Sequence, residues 1–307
     1  MKKIYNIICF VFGFLFLTSC TSSQKQGTLS VVVTSNPNQN LIKYIAQDKV
    51  DLYSLVFNSS SHDFEVKPED IRRIEEADVV FYNGLGLDDK VLEFSNDKSK
   101  FIKTTDGVTL IELQEEHSHN HDEEENNHEN NENAADNHTE ETYYDPHVWL
   151  SLKEYKIMAK NVLDKLVELD PVNEEFYVKN YNDFVVRADS IYETYKRDFD
   201  TLTNKEFVSN HASYGYLARD FGLINSSLYD INNHGEANPQ DIQTIVDVIR
   251  EKNIKLIIGD EFDSNKELET ISNETGVNYK VVNNLESKGD FFTEYEKLLS
   301  SIYDGLK

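Results

Sequence analysis

The nine histidines of this 307-residue chain are its best candidates for chemistry, and they divide into two groups. Five of them, His117, His119, His121, His128 and His138, lie in residues 115–141 among eleven Asp or Glu and seven Asn, with no Lys, Arg or large apolar side chain. Nothing in such a segment can enter a core, so it is expected to be disordered. A solvated acidic loop is the ordinary meaning of a run like this. Five histidines without one balancing cation, centred on His-Ser-His-Asn-His, point instead to metal capture, since imidazole and carboxylate are both metal ligands. Binding by a flexible segment is expected to be weak and dynamic.

The other four are His62, His147, His211 and His234. His62, in SSHDFE, follows the second apolar run of the chain; His211, in SNHASYGY, follows the first run of its second half; His147, in DPHVWL, sits just before Ser151. Any one alone is more often a packing or surface residue. In parallel α/β sheets, however, ligands bind beyond the carboxyl ends of strands. His62 and His211 stand at two such ends, one from each half, where they can face each other across a cleft. His234, in NNHGE, is read as a surface-loop residue.

The elements that must position these residues alternate in kind. LSVVV at 29–33, LYSLVF at 52–57, DVVFYNG at 78–84 and VTLIEL at 108–113 read as buried strands, with helices over 37–46 and 68–77. In the second half EFVSN (206–210), SLYDI (227–231), KLIIGD (255–260) and YKVVN (279–283) are strands, separated by helices near 213–221, 239–252, 265–275 and 290–304. Such alternation implies mainly parallel sheets with flanking helices: two α/β lobes, at 28–171 and 202–307, each with its own core. Ser151 and Glu154 form a capping-box pattern that starts a helix over 151–169. After Pro171 a long helix over 172–201 joins the lobes, its Tyr177, Tyr181, Phe184, Ala188, Ile191 and Tyr195 marking one face. A rigid connector of this kind predicts limited lobe movement, with the metal site in the cleft.

The N-terminus has its own pattern. Lys2 and Lys3 precede the apolar run IICFVFGFLFL at 7–17, too short to span a bilayer and right for a signal peptide over 1–19. Leu17-Thr18-Ser19-Cys20 then resembles a bacterial lipobox, which predicts lipidation at Cys20, a polar tether over 20–27, and an extracytoplasmic protein anchored to the membrane. Cys9 would leave with the signal, so no disulfide and no thiolate ligand remain, and a metal site must be built from His, Asp and Glu. The net charge of −26 argues against nucleic acid, whose phosphates would repel it.

Taken together, residues 28–307 resemble the zinc-type solute-binding lipoproteins of metal-uptake ABC transporters, which are periplasmic-binding-protein-like. The resemblance rests on HDFEVKPEDIRRIEEADVVFYNGLGLD (62–88), the His-rich insert directly before DPHVWL, NHASYGYLARDFGL (210–223) and EANPQDIQTIVDVIREKNIKLII (236–258). It implies that His62, His147 and His211 are three imidazole ligands of one Zn²⁺. It also implies a carboxylate from a Leu-Asn-Pro-Leu-Glu segment, matched here by Asn283-Asn284-Leu285-Glu286 without the Pro. Glu286 is then the fourth ligand, with Asp260 in GDEFD, or a water, as the alternative. Three nitrogens and one carboxylate suit tetrahedral zinc, whereas manganese prefers more oxygen ligands. In manganese-type relatives a Glu matches His211. The implied partners are an ABC permease with its cytoplasmic ATPase, the ion as cargo, and the membrane through the lipid; a monomer is expected.

Rival readings fit the residues less well. Manganese or another divalent metal on the same scaffold is the nearest alternative. A zinc hydrolase needs an open coordination position and a general base, and the chain has no HExxH, G-x-S-x-G or phosphate-cradling glycine loop, so no enzyme activity is expected. A surface adhesin would show a repeat or adhesive patch, and a siderophore or corrin cleft needs aromatic or Arg-rich walls; neither pattern is present.

Overall fold

The computed structural model describes residues 28–56, 65–113, 143–229 and 239–307. The expected signal peptide and lipidated Cys20, the insert at 115–141, His62 and His234 lie outside the described residues.

Two four-stranded parallel sheets organise the chain. In the first, β1 (Leu29–Val33), β2 (Val50–Ser54), β3 (Val79–Tyr82) and β4 (Phe101–Lys103) run in the order β2-β1-β3-β4. A short antiparallel pair follows, β5 (Glu112–Leu113) with β6 (Tyr143–Tyr144), bracketing the insert. In the second sheet, β7 (Glu206–His211), β8 (Ile224–Tyr229), β9 (Leu256–Asp260) and β10 (Asn278–Val282) run in the order β10-β9-β7-β8. Because each sheet is parallel, all its carboxyl ends open on one edge. His211 and Asp260 are the last residues of their strands, and Glu286 follows β10 closely.

The helices are set by local chemistry at their ends. Helix α1 (Asn36–Ile45) starts where Ser35 caps the Asn38 amide, and α2 (Pro68–Glu76) where Asp70 accepts from the Lys67 amide at 2.8 Å. Helix α3 (Leu152–Leu169) begins at Ser151, whose hydroxyl accepts from the Glu154 amide at 3.2 Å. The Glu154 carboxylate does not complete the capping box; it accepts from the Thr109 amide at 3.0 Å and from Arg219 at 2.8 Å. After a short 3₁₀ turn at Pro171–Asn173, helix α4 (Glu174–Asp200) runs for 27 residues, about 40 Å at 1.5 Å per residue. Helices α5 (Gly215–Phe221), α6 (Pro239–Lys252), α7 (Lys266–Thr275) and α8 (Phe291–Leu306) complete the second lobe. No helix among the described residues is long and apolar enough to cross a membrane.

Two expectations are corrected. The fourth strand of the first sheet is Phe101–Lys103, not 108–113. Only Glu112 and Leu113 of that run pair, and Leu110 points outward, 36 % exposed. The flanking lysines of KFIK hid the real strand, yet Lys100 is itself buried, its ammonium donating to the carbonyls of Ile74 and Glu75 at the end of α2. Separate cores were also expected. Instead one apolar core runs through both lobes, from Val31 and Leu41 through α3 and α4 to Phe207, Phe292 and Leu306, with a smaller cluster under the outer face of each sheet. Aromatic rings make the junction: Tyr44 of α1 and Phe292 of α8 lie 5.3 Å and 4.9 Å from the ring of Phe184 in α4.

Candidate metal centre

His147 stands on the tight turn between β6 and α3, in a stretch, Asp145 to Leu150, that is buried throughout. The Asp145 carboxylate accepts from the His147 amide at 2.9 Å and contacts Nδ1 at 2.8 Å. A carboxylate only accepts, so Nδ1 carries the proton and Nε2 is the acceptor nitrogen of the ring. Burial lowers the proton affinity of this imidazole, but the Asp145 hydrogen bond and the charges of Asp145, Glu286 and Asp260 outweigh it and raise the pKa above its usual value. The turn itself is fastened by Asn83, which donates to the Pro146 carbonyl at 3.0 Å. Asn83 is held in turn by its backbone amide, which donates to the buried Asp88 carboxylate.

From the other lobe comes His211, 3 % exposed, with its ring centroid 5.1 Å from that of His147 and the planes at 75°. Two imidazoles bound to one tetrahedral zinc at about 2.0–2.1 Å place their centroids roughly 5 Å apart. The observed spacing suits two ligands of a shared ion, and it is also that of the edge contact His147 makes with Trp149 at 5.2 Å.

Two buried carboxylates approach the pair. Glu286 is 1 % exposed; Asn284 donates to its Oε2 at 2.8 Å, and Asn36, at the start of α1, donates to its carbonyl. The loop is fixed without a proline. Leu285 adopts φ 73°, a strained value for a branched residue, while its amide donates to Asn283 Oδ1 at 2.7 Å and the Trp149 indole donates to the Asn284 carbonyl at 3.0 Å. Asp260 is equally buried and accepts from the Tyr214 hydroxyl. Burial pushes its carboxyl up to about 8, helped by the charges of Asp263 and Glu286 and opposed by the Tyr214 hydrogen bond and by His147. Both carboxylates act electrostatically on His147. Among the described residues, however, no three His, Cys, Asp or Glu groups are close enough to hold an ion by themselves.

The sequence-predicted set therefore divides. His147 and His211 are brought together, Glu286 and Asp260 are buried and act electrostatically on His147, and His62 with the five insert histidines lies outside the described residues. Sequence reasoning missed Asn36, Trp149, Tyr214, Tyr216 and Asn284. The two tyrosines of SNHASYGY were a usable signal, since buried Tyr hydroxyls need partners.

Comparison with known proteins places the chain. The model of the family described as "Zinc-uptake complex component A periplasmic" matches residues 31–307. The high-affinity zinc uptake system protein ZnuA of Bacillus subtilis (strain 168) is 30% identical over 93% of this chain and 89% of its own length. The manganese ABC transporter substrate-binding lipoprotein PsaA of Streptococcus anginosus is 27% identical over 90% and 88%. Among solved structures, a Zn(II)-bound mutant variant of AdcAII of Streptococcus pneumoniae superposes with a TM-score of 0.76 at 26% identity, covering 91% of this chain and 98% of that one. With the family match running through nearly the whole chain and both lobes, the protein belongs to the zinc-uptake component A family and is the metal-binding, solute-binding component of an ABC transporter rather than an enzyme.

Proposed function

We propose that the cargo is Zn²⁺, captured outside the cytoplasmic membrane by His62, His147, His211 and Glu286 and delivered to the permease of an ABC importer driven by a cytoplasmic ATPase. The observation that carries this reading is the pairing of His147 and His211 at 5.1 Å, with Asp145 fixing the tautomer of the first. Two imidazoles acting as ligands would favour a borderline-soft ion over a hard one. Metal analysis of protein purified without added metal, beside a His62/His147/His211 triple-Ala variant, tests the proposal. Stoichiometric zinc is expected in the wild type alone; equal zinc in both would show that the ligand set is wrong. Manganese is the second reading, and one observation favours it: Asp260 supplies a second buried carboxylate beside Glu286, and its Oδ2 has no hydrogen-bond partner among the described residues. Competition titration separates the two ions.

We propose also that the protein is held at the membrane by a lipid on Cys20, as the names of relatives called lipoproteins support. Mass spectrometry finding an unmodified Cys20 in mature protein from its host would refute this.

A further inference from the structure

We infer that the Gly215–Tyr216 step at the start of α5 is a positioning device for the metal centre, which holds Asp145, and through it His147, in register with His211. The inference rests on the ligand roles proposed above. β7 ends at His211 and α5 begins four residues later, so whatever α5 grips is referenced directly to that histidine. It grips the opposite lobe. The Tyr216 hydroxyl donates to the Asp145 carbonyl at 3.0 Å and accepts from the Ile111 amide at 3.3 Å. The Asp145 amide donates back to the Ile111 carbonyl at 3.0 Å, which closes the loop of bonds.

The residue before Tyr216 acts on the other end of Asp145. A Cβ on Gly215 would lie 2.8 Å from Asp145 Oδ2, so the helix backbone is packed against the very carboxylate whose Oδ1 holds His147 Nδ1. Glycine there allows the close approach; a Cβ would force the Asp145 carboxylate to shift. Arg219 then secures the arrangement: its guanidinium lies 5.1 Å from the Tyr216 ring centroid and binds Thr109 and Glu154 of the first lobe at 3.0 Å and 2.8 Å. The orientation of one lobe's histidine is thus set by the other lobe's helix.

Tyr216→Phe removes the hydroxyl and keeps the buried ring. A single lost hydrogen bond of this kind predicts about tenfold weaker zinc binding, seen chiefly as faster zinc release to a chelator. Tyr177→Phe, which loses a part-buried hydroxyl bonded to Asp170 and to none of the residues above, is the control and leaves zinc release unchanged. Gly215→Ala keeps the hydroxyl but displaces the Asp145 carboxylate, and it too is expected to speed release; it carries the test should Tyr216→Phe fail to fold. A Tyr216→Phe/His147→Ala double variant identifies the route: no further weakening beyond His147→Ala supports action through His147. An undiminished effect in the His147→Ala background overturns the inference, as does wild-type release from folded Tyr216→Phe and Gly215→Ala. If His147→Ala alone binds zinc as tightly as wild type, the ligand assignment falls and takes this inference with it; if only the α5 variants are silent, the assignment stands.

Discussion

At the centre itself, two carboxylates compete for one role, and their surroundings distinguish them. Asp260 spends Oδ1 on the Tyr214 hydroxyl, and burial, with the charges of Asp263 and Glu286, pushes its carboxyl up to about 8, so its ionised form is costly without a cation beside it. Glu286 is fixed by Asn284 through Oε2 and by Asn36 through its backbone, the kind of support that would orient it were it a ligand. Glu286→Gln is therefore expected to weaken zinc binding by roughly one to two orders of magnitude, and Asp260→Asn by less. Isothermal titration giving the reverse order would make Asp260 the ligand. His211 is the second point of decision. An imidazole there keeps the site compact and nitrogen-rich, whereas a carboxylate would add a hard oxygen donor and a further negative charge beside Glu286 and Asp260. His211→Glu should narrow the zinc–manganese gap, chiefly by weakening zinc. A competition titration in which the variant widens that gap would contradict the argument.

Among the elements, the turn after β3 is where pH should register. Asp88 is fully buried and accepts from the amides of Asn83 and Gly84 at 2.8 Å and 2.7 Å and from Thr34. Burial pushes its carboxyl up to about 6, and those hydrogen bonds only partly offset the cost. The folded state thus holds this proton more tightly than the unfolded chain, where an Asp titrates near about 3.9. Its stabilising contribution is full below about pH 4 and is lost as pH rises through about 6, a change on the order of 3 kcal/mol. Asp88→Asn has no such dependence. Urea unfolding of the metal-free protein from about pH 4 to about pH 7 should show the wild type losing ground to the variant across that window; a constant difference would show that Asp88 titrates normally. Because Asn83 carries the bond to Pro146, this turn also supports the His147 loop.

For the whole molecule, the shared core has the larger consequence. The cluster of Tyr44, Phe184 and Phe292, with α4 alongside, ties the lobes together by apolar packing rather than by a thin hinge. An ion captured between them should stabilise the fold without a large closure. Zinc bound only by the folded state adds about 2.7 kcal/mol at a free concentration of roughly 100 times Kd. Calorimetry should show the melting temperature rise by several degrees on adding zinc, while small-angle scattering shows a nearly constant radius of gyration. A contraction of several ångströms would mean that the lobes swing. The insert can be tested apart from this frame. Leu113 pairs with Tyr143, so its two ends are neighbours in a ladder and a short turn can replace it. Deleting 115–141 should remove weak, additional zinc equivalents and leave the tight site and the melting temperature intact; loss of the tight site would show that an insert histidine is a ligand.

Much of this was readable from the chain alone, because the governing physics is local. Apolar runs of strand length between amphipathic segments specify parallel α/β lobes, Ser151 and Pro171 mark helix starts, and His147 and His211 could be placed at loop entrances from their flanking residues. Where the outcome depended on distant partners, sequence patterning failed. Phe101–Lys103 is a strand only because the edge of β3 is free to receive it, and Lys100 is buried only because the end of α2 offers it two carbonyls. The single core arises because α1, α4 and α8 meet, which no periodicity within one helix encodes. Tyr216 reaches Asp145 across 71 residues, and Asn36 reaches Glu286 across 250. Ligand type is a property of a residue, but its orientation belongs to whatever packs against it, and that is settled only when the two lobes fold onto one another.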